Sequence, residues 1–335
     1  MRKIILSFDY EIYFDGKNNY QSLISNTHEI LKIADRHSIK CVFFVDAFYV
    51  YQLKKANLKT AYDDICNQLK TMQLKGHELQ YHFHPHWLNA VYVSDKNEWQ
   101  YNKSDYSYSD LVDQYGIEKA NEAFEIGLNC FEQICQTQSI AFRAGGLSVQ
   151  GAEAAFIDLL VKHGFKYDSS VFPQLQIEAK YLNIDHSSSP NKDRWMIDQS
   201  FLIESNKASR LTEIPLMILD TSKSSFLSRL PVSILYRLLK VFEIKPKANH
   251  INGKPMDLNI QKVSYPESIT FDLSSGADSL LMKHCTKLFF SQKRTLMCMI
   301  SHPKSMEKPS LLTMNTYCKW LKKQAIQPIG FSDLN

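Results

Sequence analysis

The sequence predicts an α/β protein in which parallel strands are joined by crossover helices, as an open sheet or as a barrel. Three observations lead there. Short apolar runs alternate with longer segments of helical period, the pattern of repeated strand–helix units. The residue types able to do chemistry fall at or just after the C-terminal ends of predicted strands, the rim where such folds place their sites. At 335 residues the chain is also long enough for a full barrel in one domain.

The elements follow in order. Residues 2–9 (RKIILSFD) read as a strand and 22–37 as a helix. CVFFVDAF, 41–48, reads as a buried strand, and 53–74 as a helix closed by Gly76. Strand 77–83 alternates, with Leu79, Tyr81 and Phe83 on one face and Glu78, Gln80 and His82 on the other. A loop rich in Tyr, Asn, Ser and Asp (88–108) precedes a helix over 110–136. Strand 139–143, helix 151–163 and strand 166–171 come next. The pattern weakens after Pro173 until LTEIPLMILD, 211–220, which reads as a strand. Strand 295–301, helix 309–324 and strand 327–331 finish the chain. There are no internal repeats, so 1–335 reads as one domain with an insertion or set of caps within 174–280.

Composition narrows the class. With 44% hydrophobic and 22% charged residues the chain is an ordinary globular sequence. A formal charge of +4 without a long Lys/Arg cluster argues against a nucleic-acid partner. Seven cysteines without a CxxC pair point to a reducing compartment. The opening apolar run meets Asp9 too soon for a signal peptide, and no stretch has the length of a membrane span. The expected location is cytoplasmic.

The most informative segment is GHELQYHFHPHW. His82 leaves the strand on its polar face, and Pro85 turns the chain so that His86 can return to the same point. Two neutral imidazoles at this spacing, with one carboxylate, can hold a divalent ion; a solvated His-rich loop is the plainer reading. His84, between them, is expected to be structural. Asp9 and Glu11 follow the first strand, Arg143 ends SIAFR before Gly145 and Gly146, Asp168 lies in KYDSS, and His302 follows LMCMIS. Asp9, Arg143, Asp168 and His302 each have an ordinary structural reading as cap, turn or ion-pair residues. Five strand ends converging on acid, base, cation and imidazole make one coherent site.

The ordered set SFDYE, HFHPH, FRAGG, YDSS and SHP resembles the polysaccharide deacetylases, the group with the NodB homology domain. The resemblance runs from Asp9 to His302, and HFHPHW is similar to the branch associated with lipopolysaccharide and O-antigen clusters. It implies a distorted (β/α) barrel of about seven parallel strands and a metal-dependent removal of acetyl groups from an N-acetylated sugar or glycan. The chain departs from the pattern in three places. Tyr10 stands where the family has a second aspartate and cannot replace a carboxylate ligand. Phe83 replaces a Ser or Thr, and Gly145 replaces a Pro. Because Asp9 and Glu11 lie two apart on a strand, they project to one side, and Glu11 can take the missing ligand's place.

The implied metal ligands are therefore His82, His86 and Glu11, with Asp9 as base; the reverse assignment of the two carboxylates is the alternative. Zinc is the expected ion, with cobalt, nickel and manganese as other fits. Arg143 is expected to orient Asp9 and favour its charged form. Backbone N–H groups near Gly145 and Gly146 would meet the oxyanion. His302 would protonate the leaving amine, with Asp168 holding it as imidazolium. Deformylation and O-deacetylation are close variants, and a metal-free carbohydrate-binding protein is the rival class. Residues 226–247, apolar and basic, read as a helix packed on the barrel, or alternatively as a peripheral contact with the inner membrane surface. In the packed reading, Arg237→Glu with Lys240→Glu leaves membrane fractionation unchanged; loss of association in a vesicle or cell-fraction assay would select the membrane reading.

Overall fold

The first strand organises the molecule. In the computed structural model, which describes residues 1–207, 210–220, 262–264, 268–270, 273 and 279–334, β1 spans Arg2–Tyr10. One edge of β1 pairs with Leu296–Met299, and the other pairs with β2 (Val42–Asp46) and, near its start, with Ile326–Pro328. From β2 the sheet continues through β3 (Glu78–Phe83), Ala141–Ala144, Tyr167–Asp168 and Leu211–Glu213, all parallel. Beyond Glu213 the chain meets the far edge: Leu216 bridges Cys298 in parallel, and the Met217 amide donates to the Cys298 carbonyl at 2.8 Å. Seven parallel strands thus form a ring closed by one bridge, a distorted barrel. That bridge decides between the two arrangements the sequence left open. Trp195–Ile197 adds an antiparallel strand outside Leu211–Glu213.

Period-two alternation divides each strand between two cores. Ile4, Leu6, Phe8 and Tyr10 of β1 face outward into the layer shared with the helices. Ile5 faces inward, with Val42 and Phe44 of β2, Ala141, Leu296 and Cys298. The helices cover the outside with stripes of helical spacing. In α1 (Tyr20–His37) the buried positions include Leu23, Thr27, Ile30, Leu31 and Ala34. Its last turn ends on Ser38, whose φ of 53° is left-handed and whose N–H closes onto the Ala34 and Asp35 carbonyls. The lower end of the barrel is shut by the last residues: Phe331 and Ser332 amides donate to the Glu78 carboxylate at 2.9 and 3.1 Å, and Phe331 packs edge-on against Phe44.

Local chemistry shortens or splits several expected elements. The strand at 41–48 stops at Asp46, because that side chain caps α2 (Ala47–Lys55) by accepting from the Tyr49 amide at 3.2 Å. The helix expected over 53–74 is instead α2 and α3 (Lys59–Leu74), separated at Asn57, whose φ is 55°. The helix expected over 110–136 breaks at Gly116 into α4 (Tyr108–Tyr115) and α5 (Ile117–Cys135). Pro215 divides the strand expected over 211–220: Leu211–Glu213 joins the barrel, and Ile218–Asp220 pairs with Ser268–Thr270. The helix Ser279–Ser291 was not anticipated. Within 174–280, a hairpin of Gln176–Ala179 and Leu182–Asp185 pairs with Lys262–Ser264. Residues 226–247 lie outside the described residues. Among the described residues, no helix is long and apolar enough to cross a membrane.

Two buried histidines give the fold a pH dependence. His186 is fully buried and accepts the Phe172 amide on Nδ1 at 3.1 Å; burial pushes its pKa from 6.5 down to about 4. Burial does the same to His77, also to about 4. A lowered folded pKa means the unfolded chain takes the proton first, so this stability is complete above pH 6.5 and lost as pH falls towards 4. Urea unfolding between those values should show His186 contributing up to about 3 kcal/mol of the loss. His186→Asn, which keeps an acceptor without the titration, should flatten the dependence; an unchanged slope would remove His186 as its source.

Candidate metal and catalytic site

The site begins with an arginine inside the barrel. Arg143, on Ala141–Ala144, is fully buried, and its guanidinium is held by residues of the barrel interior. Nη1 donates to Asp9 Oδ1 at 2.6 Å, Nη2 to Ser7 Oγ at 2.9 Å and to Ser169 Oγ at 3.0 Å, and Nε to the Ser169 carbonyl at 2.9 Å. The plane lies over the Phe44 ring, 4.0 Å from its centroid. Strand alternation stacks Ser7, Asp9 and Glu11 above Ile5 on the inner face, so the polar layer sits directly on the apolar barrel floor.

Above Asp9 stands a carboxylate–imidazole cluster. Glu11, His82 and His84 place ligand-capable atoms within 4.8 Å of one another. His82 donates from Nδ1 to the Arg143 carbonyl at 2.8 Å, which turns Nε2 towards Glu11 Oε2 at 3.1 Å. The His84 Nε2 meets the same oxygen. A backbone carbonyl fixing one ring nitrogen and leaving the other available to an ion is the arrangement that metal-binding imidazoles use. Two ligands of one zinc ion, each about 2.0–2.2 Å from it, stand roughly 3–3.5 Å apart, so these donors fit a divalent ion. Burial opposes ionisation of His82, yet Asp9 and Glu11 hold its pKa above the ordinary range. Burial likewise opposes the charge of Glu11, but Lys304, His84 and His82 hold its carboxyl well below its usual value.

The grouping differs from the expected pairing of His82 with His86. Backbone at His84 is still extended (φ −110°, ψ 104°), so His82 and His84 share a face as residues two apart do in a strand. Pro85 starts a short helical turn, Pro85–Trp87, only after His84. The turn carries His86 into an aromatic setting beside Phe14, Trp87 and Tyr101, with ring centroids 4.1–4.6 Å away. Among the described residues neither His86 nitrogen has a hydrogen-bond partner, and burial, with His84 adding to it, pushes its pKa well below 6.5. Its ring still borders the same cavity, of about 290 Å³.

The other expected residues fall as follows. Tyr10 points outward and donates to Gln68 Oε1 at 2.8 Å, while Asp9 and Glu11 share the inner side. His302, at the partly exposed mouth, has Nε2 3.8 Å from both Asp9 Oδ2 and Glu11 Oε1. Asp168 does not reach His302 as expected. It sits deeper, accepting from Ser170 N at 2.8 Å and Ser170 Oγ at 2.9 Å, and lies against Glu213 on the neighbouring strand. Burial, reinforced by Asp168, raises the Glu213 pKa well above the carboxylate range. Gly145 gives clearance to an imidazole: a Cβ there would stand 2.4 Å from His84 Nδ1. Gly146, at φ 60°, lies against Tyr106 and lines the cavity.

Two charged cavity residues, Asp46 and Lys304, were not singled out from the sequence. Asp46 ends β2, accepts from Trp87 Nε1 at 2.7 Å and has its pKa raised by burial. Its place after a buried strand was the available signal. Lys304 donates to Glu11 Oε1 at 2.6 Å; nothing in the segment SHPKS separates it from a solvated lysine.

No protein-family model matches the chain, and no curated protein matches it. Among solved structures, a Mycobacterium smegmatis protein named as a polysaccharide deacetylase aligns over 99% of this chain and 88% of its own, with TM-score 0.47 and 10% identity. PuuE allantoinase aligns over 99% and 88% with TM-score 0.45 and 11% identity. Peptidoglycan deacetylase PdaC from Bacillus subtilis aligns over 99% and 89%, at TM-score 0.41 and 11% identity. Likenesses this distant transfer neither a family nor an activity.

Removing one member of a buried ion pair leaves the other charge uncompensated. Arg143→Met should lower the unfolding free energy by about 3–5 kcal/mol. In a double-mutant cycle by urea denaturation, Asp9→Asn should recover part of that loss. Strictly additive losses would show that the pair is not coupled.

Proposed function

We propose that this chain is a metal-dependent hydrolase that removes an acetyl group from an N-acetylated sugar during assembly of a surface polysaccharide or lipopolysaccharide. The observation that supports this most is the pairing of the Arg143-bound Asp9 with the Glu11–His82–His84 cluster, with Asp9, Glu11 and His84 lining one cavity. The motif resemblance from Asp9 to His302 supplies the sugar substrate.

A sugar amide is a poor electrophile and neutral water a poor nucleophile. A divalent ion held by Glu11, His82 and His84, when bound, supplies a Lewis acid for the carbonyl and makes the attacking water more acidic. Arg143 occupies Asp9 Oδ1, which leaves Oδ2 facing the cavity to accept the proton of that water. The same Arg143 holds Ser7 and Ser169, so Asp9 cannot swing away from its direction. His302 stands across from Asp9 Oδ2 at 3.8 Å, placed to give a proton to the nitrogen as the C–N bond breaks. The leaving group departs as a neutral amine.

A test is acetate release from acetylated amino sugars, measured together with metal content on protein purified without chelator. Asp9→Asn should lower turnover about 10²–10⁴-fold with metal retained. His82→Ala and His84→Ala should lose the ion, and His86→Ala should keep it. Loss of metal in His86→Ala with retention in His84→Ala would reinstate the His82–His86 pairing. No metal and no acetate release in the native protein would overturn the reading and favour carbohydrate binding alone.

A further inference from the structure

The carboxylate at the centre of the cluster already has a cation. Lys304 Nζ donates to Glu11 Oε1 at 2.6 Å and to the Ile12 carbonyl at 3.0 Å, and lies 5.4 Å from the Tyr13 ring centroid. This contact is built from the backbone upward. Lys304 sits in the short turn Pro303–Ser305, where Asn26 Nδ2 of α1 donates to the Pro303 carbonyl at 2.9 Å. Tyr13 Oη donates to the Lys304 carbonyl at 2.9 Å. The side chain is 13% exposed, so its ammonium is largely withdrawn from water and directed at Glu11.

The carboxylates of Asp9 and Glu11 are each matched by one internal cation, Arg143 and Lys304 respectively. A divalent ion entering between Glu11, His82 and His84 brings two further positive charges to a carboxylate that is already compensated. Like charges on one buried carboxylate repel strongly at low dielectric.

We propose that Lys304 is a built-in counter-ion for Glu11, which keeps the ligand set folded without an ion and competes with a divalent cation for that carboxylate. The inference rests on the metal-site reading proposed above. It makes Lys304 a positioning residue that sets metal affinity, outside the bond-breaking chemistry.

The test is a cobalt(II) titration of the native protein, Lys304→Met and Lys304→Arg, followed by visible absorption and by the shift in unfolding temperature. Lys304→Met should melt lower without cobalt, bind cobalt at least about tenfold more tightly and gain more in melting temperature on binding. Lys304→Arg, which keeps the charge, should stay near the native affinity. Equal affinity in native and Lys304→Met proteins would overturn the competition and leave Lys304 a packing residue. Weaker binding in Lys304→Met would also overturn it, showing that the lysine orients Glu11 for the ion. Absence of cobalt binding in all three would remove the metal-site reading itself, and the proposal with it.

Discussion

The interior of this barrel is organised around one buried ion pair, Arg143 with Asp9. A fully buried guanidinium is tolerable only if its donors are satisfied, and here Ser7 and Asp9 of β1 and Ser169, just after Tyr167–Asp168, do so. Phe44 of β2 covers its face. The arginine therefore ties together elements distant in sequence, and it does so at the level where apolar floor gives way to polar site. Its own carbonyl then orients His82. Stability and chemistry share the same residue, so the site inherits its rigidity from the fold.

The second layer follows from the first by strand geometry. Residues two apart on β1 bring Asp9 and Glu11 to one side; residues two apart at the end of β3 bring His82 and His84 to meet them. Tyr10, between the carboxylates, is sent outward to Gln68 and takes no part. The two carboxylates are served by different cations and so have different freedom. Asp9 is held by one arm of a guanidinium whose other nitrogens are fixed on Ser7 and Ser169, and Glu11 takes its cation from a lysine at the cavity mouth.

Much of this was legible in the sequence, and the exceptions have physical reasons. Strand–helix alternation and reactive residues at strand ends were enough to predict parallel strands and a rim site. They could not distinguish an open sheet from a ring, because closure among the described residues rests on the Leu216–Cys298 bridge, which leaves no local signature. Helix boundaries failed at Asn57 and Gly116, where positive φ interrupts otherwise continuous apolar periodicity. Asp46 was read as part of a strand because its capping role depends on the Tyr49 amide folding back to it. The histidine pairing turned on whether extended backbone ends before or after His84, a one-residue difference that Pro85 alone does not specify. Lys304 and the Asp168–Glu213 pair were invisible for another reason: each acquires its meaning only from a partner on a separate strand.

Glu11, His82 and His84 are proposed as the ligand set of a divalent ion beside the Arg143-bound Asp9. Anomalous diffraction at the zinc edge, from crystals grown with zinc, tests this most directly. One strong peak is expected about 2.0–2.2 Å from Glu11 Oε2, His82 Nε2 and His84 Nε2. A peak held by other residues, or none at this cavity, would contradict it.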